Sequence, residues 1–206
     1  MNKMKQHWEN IFQTKSDQQK SWYQSYPSIS IELIEELHPG KNAAIVDIGG
    51  GDSLLVDSLL DKGYTNITVL DISASAIENS KKRLGDKSNQ VKWVTSDILD
   101  FHGHEQFNVW HDRAAFHFLT TDEEIENYVE TCRTLIAPSG YLILGTFSES
   151  GPQKCSGLDV KRYSESSMTF RFAQGFDRIR CVEENHVTPT KAKQDFLFCV
   201  FKKQDR

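Results

Sequence analysis

Apolar residues in this chain fall into short continuous runs that are separated by longer amphipathic stretches. Five short runs predict buried strands, at 43–48, 67–70, 91–94, 107–111 and 141–147. Between them, apolar residues recur every three or four positions, which predicts helices over about 53–62, 76–84 and 121–136. Capping boxes at 75–78 and 121–124 indicate where two of these helices begin. Strands that alternate with helices pair in parallel, so the pattern predicts an α/β fold with right-handed crossovers.

The two ends of the chain depart from this alternation. Residues 1–40 combine two short helical patterns with a cluster of aromatic side chains. They predict a helical cap over the open edge of the sheet, within the same domain as residues 41–206. Near the other end, two strands at 179–187 and 196–201 are expected to form an antiparallel hairpin.

Acidic residues stand at the carboxyl ends of three successive predicted strands. Asp47 ends the first strand and leads into a cluster of three glycines, after which a helix begins. Asp71 ends the second strand, and Asp97 follows the third. Glycines let a backbone approach a nucleotide-like ligand closely, and carboxylates accept hydrogen bonds from a cis-diol. The three acids are therefore predicted to contact successive parts of one extended ligand.

This arrangement resembles the class I S-adenosylmethionine-dependent methyltransferases, whose first motif reads acid-x-Gly-x-Gly-x-Gly. Ser53 replaces the last glycine here, and a serine can cap the helix that begins at this point. The resemblance runs from about residue 42 to 147 in motif detail. It implies a single doubly wound α/β sheet of seven strands, mostly parallel with a C-terminal antiparallel hairpin, with helices on both faces and an N-terminal helical cap.

The resemblance also implies S-adenosylmethionine as the cofactor and S-adenosylhomocysteine as its product. In that family the acid after the second strand holds the ribose, which corresponds to Asp71, and the acid after the third faces the adenine, which corresponds to Asp97 beside Ile98. The other cofactor contacts that we expect are Trp22, Tyr23, Asp47, Gly49, Gly50, Gly51, Ile72 and His111. For Trp22 and Tyr23 the alternative is that they only pack the cap onto the core.

Acceptor chemistry is expected beyond the fourth and fifth strands, where the ligands of open α/β sheets collect. His111, Asp112 and Arg113 end the fourth strand, and His117 follows one turn later. We predict Asp112, Arg113 and His117 as catalytic residues, because Arg113 suits an anionic acceptor and Asp112 a cationic one. The alternatives are an ion pair between Asp112 and Arg113, and a packing role for His117.

The cysteines add little chemistry to this picture. They show no C-x-x-C pairing, so the sequence indicates no metal site and no disulfide framework. Cys132, Cys181 and Cys199 occupy apolar positions and are expected to be inert core residues. Cys155 lies in a loop rich in Gly, Pro and Ser, and we expect it to be exposed near the mouth of the active site.

Composition narrows the possible partners. A length of 206 residues suits one domain, and the net charge of −5 gives no basic footprint for nucleic acid. No apolar run approaches the ~20 residues that span a bilayer, and the first residues lack the apolar core of a signal peptide. We therefore expect a cytoplasmic protein without nucleic-acid or membrane partners. The oligomeric state stays open.

The acceptor is the least determined part of this interpretation. The fourth strand ends without the Asn/Asp-Pro-Pro-aromatic motif of the methyltransferases that act on nucleic-acid bases. A small molecule is our first expectation, either a thiol, an amine, a carboxylate or a metalloid. The alternative is a protein lysine, since some small lysine methyltransferases share the Trp-Tyr cap. A third reading is a cofactor-binding module without catalytic activity.

Overall fold

The computed structural model describes residues 3–205, so positions 1, 2 and 206 of the predicted cap and domain lie outside it. The helices are α1 Lys3–Thr14, α2 Ser28–Glu36, α3 Leu55–Asp61, α4 Ala74–Leu84, α5 Asp122–Leu135 and α6 Glu165–Phe172. The strands are β1 Ile45–Ile48, β2 Ile67–Asp71, β3 Val91–Thr95, β4 Phe107–Arg113, β5 Ile136–Phe147, β6 Lys154–Cys155, β7 Leu158–Asp159, β8 Phe176–Val187 and β9 Lys193–Lys203.

Seven strands form one sheet in the order β3-β2-β1-β4-β5-β9-β8. The first five strands in this order pair in parallel, whereas β9 and β8 pair antiparallel. The predicted fold class is confirmed. The strand order reverses between β1 and β4, and a crevice opens at such a switch point beyond the carboxyl ends of the strands.

Helices cover both faces of this sheet, as predicted. One apolar layer contains side chains of α5 and α6, and the other contains side chains of α2 and α3. Because α2 buries Ile31, Leu33 and Ile34 in the second layer, it belongs to the core. The segment before α2 lies over the crevice, and α2 itself reaches the crevice through Ser30.

Two predicted element boundaries were wrong. The N-cap of α4 is Ser73, whose hydroxyl accepts a hydrogen bond from Ala76 N at 3.2 Å, and not Ser75. Ser75 is engaged by α1 instead, because its backbone N–H donates to Glu9 at 3.1 Å. β5 begins at Ile136 and contains an irregularity, whereas the sequence predicts a helix as far as residue 136 and a strand from residue 141. The capping box of α5 at Thr121 is confirmed.

The prediction for the cysteines was wrong at one pair. Cys181 on β8 lies directly opposite Cys199 on β9, with 4.1 Å between their Cα atoms, and the two form a disulfide. Strand register sets this proximity, and a spacing of 18 residues does not reveal it. Disulfides are rare in the reducing cytosol. This disulfide therefore does not support the predicted cytoplasmic location, which stays a prediction. Within residues 3–205, no helix has the length and hydropathy needed to cross a bilayer.

Candidate active site

A cavity of about 240 Å³ lies at the carboxyl ends of the parallel strands, beneath α1. Its walls include Trp8 and Phe12 of α1. A smaller cavity of about 50 Å³ lies beneath residues 20–24. The two cavities share walls formed by Trp22, Ile48, Gly49 and Arg113. Together they form an elongated site that crosses the switch point of the sheet.

The glycine turn after β1 is closely packed on both sides. Gly49 has a φ of 67°, and a Cβ there would lie 2.9 Å from the Cβ of Ala115. A Cβ on Gly51 would lie 2.5 Å from Asp71 Oδ2 and equally close to Ala76 Cβ. Only glycine therefore allows this loop to approach β2 and the residues after β4.

Asp71 presents its carboxylate at the wall of the larger cavity. Gly51 N donates a hydrogen bond to Oδ2 at 2.9 Å, and Ser73 N donates one to Oδ1 at 2.8 Å. Each oxygen keeps further acceptor capacity for a ligand. Burial raises the pKa of Asp71 to about 7. Besides the shared walls Trp22 and Gly49, three more predicted cofactor residues line this cavity, namely Ile72, Asp97 and Ile98.

Asp47 and His111 form the wall of the smaller cavity. Their strands are adjacent, and Asp47 Oδ1 lies 2.7 Å from His111 Nδ1. The other ring nitrogen lies 2.9 Å from the Ser30 hydroxyl of α2. Asp47 Oδ2 is buried and has no hydrogen-bond partner within the described chain. This oxygen is therefore available to accept a hydrogen bond from a ligand. Tyr23 and Gly50 line the same cavity.

Residues 20–24, which we call the strap, cross above both cavities. Lys20 is 3 % exposed, and its ammonium pairs with Asp17 at 2.9 Å and with Asp52 of the glycine loop. Further anchors come from β4 and β8. Arg113 Nη1 of β4 donates a hydrogen bond to Trp22 O at 3.0 Å. On β8, His186 Nε2 lies 2.8 Å from Ser21 O, and Glu184 Oε1 accepts a hydrogen bond from Gln24 Nε2 at 2.9 Å.

Most of these anchors carry no signal in the sequence. No role was predicted for Lys20, Asp52 or Glu184, and no partner was predicted for His186. Their contacts join segments that are far apart in the chain, and no spacing rule signals them. Strap position therefore depends on both the glycine loop and the C-terminal hairpin.

Strand alternation separates the three residues that end β4. Successive side chains point to opposite faces of a strand, so His111 and Arg113 share the cavity face while Asp112 points away. Asp112 is fully buried and accepts hydrogen bonds from Tyr128 Oη at 2.7 Å and Ala115 N at 2.9 Å. It lines neither cavity. The prediction that it contacts the acceptor is corrected to a structural role, and the alternative of an ion pair with Arg113 is absent from the described contacts.

We expect Asp112→Ala to lower the free energy of unfolding by roughly 1–3 kcal/mol or more, because a buried hydroxyl and backbone N–H groups lose their acceptor. Asp112→Asn keeps part of the acceptor capacity and should cost less. Urea unfolding measures both variants. A stable Asp112→Ala protein that binds S-adenosylhomocysteine normally but has lost turnover would return Asp112 to the acceptor site.

His117 also lies outside both cavities. Its side chain is fully buried, and its ring packs at 4.6 Å from Phe118 and 4.7 Å from Phe147. Nδ1 accepts a hydrogen bond from Phe147 N at 3.3 Å. Burial lowers the pKa of His117 to about 3, which leaves the ring neutral at physiological pH. A packing role replaces the predicted catalytic one.

Cys155 reaches the wall of the larger cavity as predicted, but it is buried and not exposed. Burial raises the pKa of its thiol. A protonated thiol is a poor nucleophile, so we assign no chemical role to Cys155. Its side chain forms part of the cavity wall.

Comparison with known proteins agrees with this geometry. Residues 46–142 match a family described as a methyltransferase domain, and this stretch runs from the first strand to the fifth. The match covers just under half of the chain, and the seven-stranded sheet is the fold of the class I S-adenosylmethionine-dependent methyltransferases.

Proteins that are similar to this chain are methyltransferases by name. The eEF1A lysine and N-terminal methyltransferase of mouse is 31% identical over 121 residues, which cover 57% of this chain and 17% of that protein. The chain therefore corresponds to a small part of that relative's length. The N-methyltransferase NodS of Bradyrhizobium japonicum, solved with S-adenosylhomocysteine, superposes with a TM-score of 0.70 at 16% identity. The superposition covers 98% of this chain and 99% of NodS.

A further solved structure has a higher TM-score. It comes from work on the conversion of a disulfide bond into a thioacetal group during echinomycin biosynthesis. Its TM-score is 0.81 at 18% identity, and the superposition covers 98% of this chain and 93% of that one. At such identities the superpositions establish the fold.

Proposed function

We propose that this methyltransferase binds S-adenosylmethionine across the two cavities and transfers its methyl group to a small molecule. The observation that supports the proposal best is a pair of adjoining cavities whose polar floor is covered by aromatic side chains. Carboxylates and a glycine turn line its floor, while Trp8, Phe12 and Trp22 close it from above. Trp8, Phe12 and Trp22 thus place apolar surface beside the position proposed for the acceptor.

The residues present fit the cofactor. Asp71 has acceptor capacity for the ribose hydroxyls, and Asp97 with Ile98 forms the wall expected for the adenine. Asp47 Oδ2, which is buried without a partner, suits the ammonium of the methionine end. His111 keeps the Asp47 carboxylate in position through its hydrogen bond to Oδ1. The glycine turn supplies the close backbone approach.

When bound, S-adenosylmethionine supplies an electrophilic methyl carbon and its leaving group. The chain's residues orient the acceptor and exclude water, which are the contributions that positioning makes to an in-line displacement. An aromatic cluster serves this purpose. Trp8 contacts Trp22 at 5.7 Å and Phe118 at 5.1 Å between ring centroids. With Asp112 and His117 outside the cavities, the reaction we propose uses an acceptor that needs no base from either residue.

A protein lysine is the second candidate, and the mouse relative favours it. A lysine acceptor needs an acidic or aromatic channel that deprotonates and holds the ammonium. The acid that we expected to serve this channel, Asp112, points away from the cavity. The aromatic walls are present, but they lie beneath α1 and the strap. We therefore place the small molecule first.

Labelling separates the two candidates. The chain would be incubated with S-adenosylmethionine carrying a radioactive methyl group and with a whole-cell extract, which is then divided into small molecules and protein. We expect enzyme-dependent label in the small-molecule fraction. Label confined to protein lysines would favour the second candidate, and no label in either fraction would favour a module without catalytic activity.

We propose that α1 and the strap form a lid over the cofactor. The lid is held at several points, including Glu9, whose carboxylate accepts a hydrogen bond from Ala74 N at 2.7 Å at the start of α4. A buried cofactor needs this cover to open. S-adenosylhomocysteine should therefore slow hydrogen exchange in residues 3–14 and 20–30. The turn at 188–192 should not change. Equal protection of the lid with and without ligand would contradict it.

A further inference from the structure

Arg113 is a buried cation whose donors are only partly used. Its side chain is 10% exposed, and Nη1 donates to Trp22 O at 3.0 Å. Nε and Nη2 are buried without a hydrogen-bond partner among the described residues. These two N–H groups lie on one side of the guanidinium and form the fork that binds a carboxylate or another oxyanion through two parallel bonds.

No side chain within residues 3–205 makes a hydrogen bond to this fork. Glu184 Oε2 lies 4.0 Å from Nε, which is beyond hydrogen-bond distance, and it also has no hydrogen-bond partner. The other oxygen of Glu184 is held by Gln24 of the strap at 2.9 Å. Glu184 thus balances the charge of Arg113 from a distance and leaves the donors free.

The guanidinium is fixed where the two cavities meet. Its Cζ lies 4.5 Å from the centroid of the Phe196 ring, and this contact sets the plane of the fork. Burial lowers the pKa of Arg113 to about 10, so the group stays protonated at physiological pH. Arg113 lines both cavities, on the face of β4 that it shares with His111.

We propose that Arg113 binds an anionic group of the methyl acceptor, a carboxylate or oxyanion, and so selects acidic small molecules. The inference rests on the proposed function and names its substrate class. Glu184 is a positioning residue that holds the fork in place. A lysine side chain offers no anion for this fork, and a neutral acceptor leaves its two donors unpaired in a buried site, which is costly.

The cofactor's own α-carboxylate is the other possible source of an anion. Calorimetry distinguishes the two sources with S-adenosylhomocysteine and with 5′-methylthioadenosine, which lacks the amino-acid part. We expect Arg113→Gln to change the affinity for both ligands by the same factor, because both lie beneath the strap that Arg113 anchors. A loss of affinity that is at least about tenfold larger for S-adenosylhomocysteine than for 5′-methylthioadenosine would overturn the proposal in favour of the cofactor carboxylate, and it would leave the proposed function intact.

A second experiment tests the methyl-acceptor site. Protein saturated with S-adenosylhomocysteine is titrated with benzoate or with benzamide, and binding is measured by tryptophan fluorescence. We expect benzoate to bind at least about tenfold more tightly than benzamide, and Arg113→Gln to remove this preference. Arg113→Lys keeps the positive charge but loses the paired N–H donors, so it should retain only part of the preference for benzoate. Arg180→Gln, which changes a more exposed arginine on β8, should behave as the wild type.

Equal binding of benzoate and benzamide, or a preference that survives in Arg113→Gln, would overturn the anion site while cofactor binding stands. Thermal unfolding of each variant shows whether it is folded, and Arg113→Lys carries the test if Arg113→Gln is not. A wild-type chain that fails to bind S-adenosylhomocysteine at all would overturn the proposed function and this inference with it.

Discussion

Asp71→Asn will weaken S-adenosylhomocysteine binding by roughly 1.5–3 kcal/mol, the range of a hydrogen bond to a charged group. The amide keeps the size of the side chain but replaces one acceptor oxygen by a donor. That donor must face the ribose, Gly51 N or Ser73 N, all of which donate in the proposed complex. Calorimetry measures the loss. Asp61→Asn, at an exposed aspartate that pairs with Lys87, is the matched control and should bind normally.

The same residue predicts a pH dependence. Burial raises the pKa of Asp71 to about 7, and the proposed ribose contact requires the ionised form. Below that pH a proton competes with the ligand, so affinity should fall by up to about tenfold per pH unit, and above it affinity should level off. Asp71→Asn should show a much weaker dependence. A flat wild-type profile from pH 5.5 to 8 would contradict the ribose assignment.

Gly51→Ala will remove cofactor binding and destabilise the fold. Its Cβ would lie 2.5 Å from both Asp71 Oδ2 and Ala76 Cβ, so β2 and α4 must separate or the loop must shift. Overpacking of this kind costs typically about 1–3 kcal/mol of folding free energy. The displacement also breaks the hydrogen bond from Gly51 N that positions the Asp71 carboxylate.

Gly103→Ala provides the control for Gly51→Ala. The nearest atom to a Cβ at Gly103 is 3.9 Å away, so this substitution should leave both stability and affinity unchanged. Urea unfolding and calorimetry on the two variants separate the effects. Normal cofactor affinity in Gly51→Ala would show that the loop tolerates the shift and does not depend on this close approach.

Local patterns carried most of the fold prediction. The runs that became β1, β2 and β4 are short, continuous and apolar because those strands are buried on both faces. The glycine turn and the acids at strand ends are similarly local, which is why Asp47, Asp71 and Asp97 were assigned to one site from their positions alone. The structure places all three at the cavity walls.

The rest depended on contacts between distant segments. Asp112 was misplaced because the three residues that end β4 were taken as a unit, although strand alternation already separates the middle one. His117 carries no sequence signal that distinguishes a packing ring from a catalytic one. Cys181 and Cys199 meet only through the register of β8 with β9, and Lys20 meets Asp52 only when the strap folds over the glycine loop. Such pairings require the tertiary structure.

A crystal structure with S-adenosylhomocysteine is the measurement that tests the central claim most directly. We predict the ribose hydroxyls on Asp71, the adenine against Asp97 and Ile98, the ammonium at Asp47, and the sulfur facing the cavity walls formed by Trp22 and Arg113. An adenine bound elsewhere, or a ribose that leaves Asp71 without a ligand contact, would contradict the account.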